Sequence, residues 1–270
     1  MLKSGLSIVG IGLLVTGVVE GFRLGGFYES VELRAYDWML RRRSVKPVDP
    51  RILVVGINET DLQALKRVTP DDGTLARALG KLQAMGPRVI GVDLYRDLPQ
   101  APGTKALQQA FGADNLIAIT RLGVGVNERV PPPPGVSEER IGFNNLVIDY
   151  DSVVRRNLLV AEHTPSFSLS LALQYLDREK ITSEQSPVNP DWMRLGRTDL
   201  VPLRSTDGGY QKADVAGYQM LLNYRADGRI ARRVSLSQVL RGELEADWVK
   251  DKVVLIGNTA TSGKDFLYAI

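Results

Sequence analysis

Apolar and polar positions follow three different rhythms along the chain. The first is unbroken. "LSIVGIGLLVTGVV" at 6–19 holds no charge, and with its flanks the run extends from Ser4 to about Phe22, interrupted by Glu20. About 19 residues of helix match the hydrocarbon thickness of a bilayer. Residues 1–24 therefore read as one N-terminal transmembrane helix. No small-residue cleavage site follows Val19, which favours an uncleaved signal anchor over a removed signal peptide. The second rhythm is helical. In "YESVELRAYDWMLRRR" (28–43), Val31, Ala35 and Trp38 recur at helical spacing, and so do Leu33, Tyr36 and Leu40. Residues 25–50 thus form a juxtamembrane amphipathic helix and a linker, closed by Pro47 and Pro50.

The third rhythm is that of buried strands. "RILVVGINETD" (51–61), "RVIGVDLYRD" (88–97) and "KVVLIGNTATSGKD" (252–265) share one design. Each starts with a base, runs through β-branched residues to a glycine and ends in polar residues. Continuous apolar runs suit strands covered on both faces, as in parallel sheets. Between the first two, "TLARALGKLQAMG" (74–86) lines Leu75, Leu79, Leu82 and Met85 along one helix face and stops at Gly86 before Pro87. That is a βαβ unit, with a right-handed crossover. Further on, 104–112 reads as a short helix, and 115–120, 153–162 and 218–225 as strands. A buried helix covers 164–177, capped by Thr164 with Pro165 in its first turn. A helix at 235–244 opens with a Ser235/Gln238 capping box. Residues 180–215 are polar loops with a short strand or two. The whole of 51–270 is expected to be one α/β domain with a mixed, largely parallel sheet flanked by helices.

Composition narrows the chemistry. The absence of cysteine excludes disulfides, Cys-ligated zinc, iron–sulfur clusters and thiol catalysis. The single histidine, His163, rules out a multi-histidine metal site and reads as a surface or loop residue. A net charge of +3, with bases scattered apart from Arg41–Arg43 and Arg155–Arg156, does not make a nucleic-acid face. No P-loop, dinucleotide fingerprint or Gly-x-Ser-x-Gly elbow is present. No cofactor, metal or catalytic residue is expected.

Ligands of open α/β sheets bind beyond the carboxyl ends of the strands. The three long strands end in Asn58, Glu59 and Asp61; in Asp93, Arg96 and Asp97; and in Asn258, Lys264 and Asp265. Of these, Asn58, Asp61, Asp93, Arg96, Asp97, Lys264 and Asp265 are ligand-binding candidates. Arg155 and Arg156 join them as guanidinium forks for an anionic ligand. A structural reading competes: Asp93, Arg96 and Asp97 would cap a neighbouring helix or pair with Arg155 and Arg156. "DYDSVVRR" (149–156) supplies both signs by itself.

Taken in order, "VELRAYDWMLRRR", "ILVVGINETDL", "ALGKLQAMGPRVIGVDLYRDLP", "GFNNLVIDYDSVVRR", "SFSLSLALQYL", "MLLNYR", "SLSQVLRGEL" and "DKVVLIGNTATSGKD" resemble a type-two CHASE domain, the cyclase/histidine-kinase-associated sensory extracellular module of bacteria. The wording "YRDLP" is similar to the cyanobacterial branch. The family has a Trp-Pro-rich stretch where this chain reads "KRVTPDDGTL". The resemblance implies a non-enzymatic sensor of an unknown small-molecule ligand. It places the body outside the cytoplasmic membrane, against a plain count of arginines, which points inward. It also implies a cytoplasmic kinase or cyclase output domain, which these 270 residues lack. Signalling through one membrane helix makes a homodimer through the 28–43 helix reasonable. The alternatives are a membrane-anchored α/β enzyme using the strand-end aspartates, and a truncated sensor without a function of its own.

Overall fold

The computed structural model describes residues 2–123, 128–224, 230–263 and 268–269. The chain starts with helix α1 (Leu2–Leu24) and, after a short elbow, helix α2 (Glu29–Arg41). The first half of the body then runs β1 (Asp49–Ile57), α3 (Glu59–Leu65), α4 (Asp72–Gln83), β2 (Val89–Asp93), α5 (Thr104–Phe111), β3 (Leu116–Thr120) and β4 (Ile141–Phe143). The middle holds β5 (Val153–Val154), β6 (Arg156–Ala161), β7 (Thr164–Pro165) and α6 (Phe167–Asp177), then β8 (Ser183–Gln185), β9 (Met193–Leu195) and β10 (Thr198–Leu200). The last part contains β11 (Tyr218–Leu221), β12 (Ala231–Ser235), α7 (Leu236–Arg241), α8 (Ala246–Val249), β13 (Val253–Asn258) and β14 (Tyr268–Ala269).

Six strands form the central sheet in the order β12-β1-β13-β2-β3-β4, and every pairing in it is parallel. The expected βαβ unit is present, but β13 comes back from the far end of the sequence to lie between β1 and β2. Two small sheets, β10-β9-β8 and β11-β6-β7, are antiparallel, and isolated antiparallel bridges join Arg121 to Val130 and Val147 to Arg156.

The two-residue period of the strands sorts their side chains onto two faces. Leu53, Val55, Ile90, Val92, Val254 and Ile256 point to one side and pack with Leu75, Leu79 and Leu82 of α4, Leu107 and Phe111 of α5, and Leu236 and Val239 of α7. Val89, Ile117, Val253 and Leu255 point to the other, against Phe167, Leu171 and Tyr175 of α6. The fit of α6 depends on missing side chains. A Cβ on Gly91 would lie 2.6 Å from the Phe167 ring, and one on Gly142 only 2.5 Å from the Phe167 Cα.

Several local expectations are revised. The 153–162 strand is split, because Arg155 leaves the ladder between β5 and β6. Helix α6 begins later than expected: Ser166, not Thr164, accepts from the Leu169 N–H, while Thr164 and Pro165 are strand. Burial of α6 is concentrated on Leu169, Ser170 and Leu171, so it is a half-covered helix and not a fully buried one. The strand expected over 218–225 stops at Leu221. The exposed His163 sits with Glu162 in the tight turn joining β6 to β7, both at positive φ (65° and 49°), as two-residue hairpins of that twist require. The Ser235/Gln238 capping box of α7 is as expected.

Helix α1 holds no charged residue over 5–19 and is exposed from Val9 to Leu24. Among the described residues no single helix is long and apolar enough to cross a membrane. The segment Val9–Leu24 and α2 reach that length only as a pair, bent by 82°. Helix α2 docks on the body through Leu33, which is fully buried with Leu203 and Tyr210.

Candidate functional site

Because β1, β13 and β2 are adjacent and parallel, their carboxyl ends do meet at one sheet edge. The residues there are used differently from one another. Asn58 is the N-cap of α3 and accepts from the Asp61 N–H at 2.9 Å. Asp61 is buried and returns the bond to the Asn58 N–H at 3.1 Å. Its carboxylate also accepts from the N–H groups of Leu236 and Ser237 and from the Ser237 hydroxyl. One carboxylate thus caps two helix starts, α3 and α7, satisfying donors that helix geometry leaves open. Asp61 thus has a structural role at both helix starts.

Asp93 stays at the exposed edge, its Cβ beside Gly257 of β13. It accepts from the Asn144 amide at 3.1 Å, and Asn144 in turn accepts from the Tyr95 hydroxyl at 2.8 Å. Arg96 turns away from the edge and is buried. Its guanidinium donates to the carbonyls of Tyr95 and Pro70 at 2.8 and 2.9 Å and to the Thr69 hydroxyl at 3.1 Å. The Nε lies 3.4 Å from Oδ1 of buried Asp72, and neither atom makes a hydrogen bond. Asp72 Oδ2 accepts from the Gln100 N–H and the Thr104 hydroxyl, tying the loop after β2 to the start of α4. Burial pulls the Arg96 pKa below its ordinary value, against the pull of Asp72 and Asp71. Arg96, Asp97, Asp72 and Thr104 line a small, shallow recess with Leu107 and Phe111 that is partly open to solvent. Lys264 and Asp265 lie outside the described residues.

Arg155 and Arg156 do not pair with Asp93, Arg96 or Asp97, as one reading of the sequence expected. Arg155 is fully buried, and each of its five N–H groups has a carboxylate acceptor. Nε and Nη2 form a fork on Asp37 at 2.8 and 2.7 Å. Nη1 reaches Asp149 at 2.8 Å, and Nη1 and Nη2 reach Asp151 at 2.9 and 2.6 Å. Burial alone would lower the pKa of this guanidinium, but the bonds to Asp37, Asp151 and Asp149 outweigh it and raise it. The same contact holds the Asp151 carboxyl below its usual range.

Asp149 is shared. It also accepts from Arg156 at 2.7 Å and from the Tyr210 hydroxyl at 2.6 Å. Burial and the bond to Asp149 push the Tyr210 pKa up. Arg156 completes its set with the Asp214 carbonyl and the Gln219 amide oxygen. The forks that were candidates for an anionic ligand are therefore filled from inside the chain. A wholly desolvated guanidinium is sustained only because carboxylates surround it.

The position of this cluster is its most informative property. Asp37 belongs to α2, whereas Asp149, Asp151, Arg155 and Arg156 flank β5 and begin β6. On its other side, β5 pairs with the C-terminal strand β14, Val153 opposite Tyr268 and Val154 opposite Ala269. The helix entering the body and the strand near the chain's end therefore meet on one short segment. Asp37 and Tyr210 were not singled out from sequence. Asp37 had left a trace, since it shares a helix face with Leu33 and Leu40 and so puts a carboxylate on an apolar stripe. Nothing in the sequence near Tyr210 pointed to Asp149. Among the described residues, no group of three or more histidines and carboxylates is arranged to hold a metal ion.

Comparison with known families matches the chain to a family model described as the CHASE2 domain over residues 11–269. Neither curated proteins nor solved structures give a match to the chain.

Proposed function

This chain belongs to the CHASE2 domain family of extracellular sensory domains in signal-transduction proteins, and on that premise we propose that it is the input module of a membrane-bound receptor. In this reading α1 is the anchor over 1–24, residues 25–50 are the juxtamembrane helix and linker, and 51–270 is the sensing body outside the cytoplasmic membrane. An unidentified small molecule binds beyond the carboxyl edge of the sheet, near Asp93 and the Arg96–Asp97 recess. It acts by shifting the balance between two arrangements of body and anchor, by no more than its difference in affinity for them. In this reading a cytoplasmic kinase or cyclase output domain carries the signal onward.

The observation that carries this reading is the Arg155 cluster. It fastens α2, which leads directly into the apolar α1, to the same segment that holds β14. A change in the body that moves 149–156 thus reaches α2 and β14 at once. The chain has no native cysteine, so single cysteines can report its topology. Val68 is 89% exposed on the body. In intact cells a Val68→Cys variant should react with a membrane-impermeant maleimide. Labelling only after lysis would place the body inside and sink the proposal. Thermal shifts of the full chain in detergent, screened against metabolites, then test ligand binding. A hit whose shift survives both Asp93→Ala and Arg96→Ala would remove the site from the strand edge.

A further inference from the structure

We infer that α2 is an interfacial helix whose outer face lies on an anionic lipid surface. The inference rests on the reading of α1 as the membrane anchor, and on three features of α2 and the elbow.

The first is the segregation of charge around α2. Its acids are all engaged by protein. Glu29 accepts from the Gln211 N–H at 2.8 Å, Glu32 from Arg23 at 3.0 Å, and Asp37 from Arg155. Its outer face has no acid. Val31, Ala35 and Trp38 follow each other along that face at helical spacing, with Val31 and Trp38 each 55% exposed. Arg34 and Arg41 flank them, and Arg42 stacks over the Trp38 ring at 4.3 Å. An apolar strip with tryptophan, edged by arginine, is the composition of helices that lie in the headgroup region. Clustered basic residues next to a membrane helix favour anionic lipid.

The second is direction. The 82° bend sets α2 almost parallel to the bilayer surface when α1 follows the bilayer normal. Tilts of about 20°, usual for single spans, leave it close to the plane.

The third is the elbow. Phe22, Phe27 and Tyr28 cluster there, with ring centroids 5.2 and 6.4 Å apart, and are 45%, 71% and 38% exposed. Tyrosine and tryptophan concentrate where a span leaves the hydrocarbon, and Tyr28 stands there against the Phe22 ring. The Arg23–Glu32 pair at 3.0 Å braces the elbow in this bent form.

Spin labels on single cysteines of the full chain, reconstituted in vesicles, test this. The sites are Val15→Cys on α1, Ala35→Cys on the outer face of α2 and Val68→Cys on the body. Collision with oxygen against a water-soluble nickel chelate reads depth. In vesicles of three parts phosphatidylcholine to one part phosphatidylglycerol, the Val15 label should be deep, the Ala35 label at headgroup depth and the Val68 label in water. Replacing Arg34, Arg41 and Arg42 together by glutamine should move the Ala35 label toward water. An Ala35 label as wet as Val68 above a buried Val15 label would overturn the inference while leaving the anchor intact. A wet Val15 label would overturn both. Strong dipolar broadening between Ala35 labels, the same in phosphatidylcholine alone, would show that a second copy covers this face and would likewise overturn it.

Discussion

Replacing Arg155 by methionine removes both hydrogen bonds shown to Asp37, a carboxylate that is only 5% exposed. The cost falls unevenly on the three acids. Asp149 keeps Arg156 and Tyr210. Asp151 has 28% of its side chain exposed and turns to water. Asp37 is left buried and charged, and breaking a buried pair in this way costs about 3–5 kcal/mol. Against a typical total of about 5–15 kcal/mol, that is a large share of the stability of a domain. Asp37→Leu takes away the same two charge-assisted bonds but leaves Arg155 with two carboxylates, at a cost of about 3 kcal/mol. The double variant has no orphan charge on α2, so its loss should fall short of the sum by roughly 3 kcal/mol. Urea unfolding of the full chain in detergent, followed by circular dichroism, measures the cycle. Hydrogen exchange over 31–41 reports whether α2 loosens first. A loss below about 1 kcal/mol for Arg155→Met, or additive single variants, would refute the view that this cluster fastens α2.

The cluster should also be acid-labile. The Arg155 bond lowers the Asp151 pKa, so its contribution is complete above the ordinary aspartate value of about 3.9 and is lost as pH falls through the lower folded value. Exchange protection of α2 should be flat from neutral pH to about 5 and fall below about 4, with no such step in Arg155→Met. Asp61→Ala should lower the melting temperature through about 1–3 kcal/mol of lost capping at α3 and α7 and leave ligand shifts intact. A lost ligand shift at unchanged stability would instead place Asp61 in the binding site. Gly142→Ala should destabilise by about 1–3 kcal/mol, since its Cβ would meet the Phe167 backbone at 2.5 Å. Gly80→Ala, in open space inside α4, should stabilise by about 0.5–1 kcal/mol; equal melting temperatures for the two would undo the packing argument for α6.

Much of the secondary structure was legible because it depends on short-range pattern. The apolar runs at 51–57, 89–93 and 253–258 could be recognised as buried parallel strands, since strands covered on both faces have no polar alternation to dilute the signal. The Ser235/Gln238 box and the Leu75–Leu79–Leu82 face are likewise local. Short elements were missed for the same reason. Helix α3 at 59–65 and strand β12 at 231–235 carry too few apolar positions to show a period, and Thr164-Pro165 imitates a helix start ahead of the true cap, Ser166.

The candidate site depended on partners far apart in sequence. "RVIGVDLYRDLP" announces a charged cluster at a strand end, yet only the fold sends Arg96 inward to Asp72 and leaves Asp93 at the edge with Asn144. "DYDSVVRR" shows both signs, but that Arg155 reaches Asp37 across 118 positions is visible only in three dimensions. The sequence alone determined the family, the parallel α/β core and the apolar first helix, because these follow from composition and period. Which charges are buried, which acid each arginine meets and how α2 is held were decided by tertiary structure. A guanidinium is stable out of water only where the packed chain brings its carboxylates together.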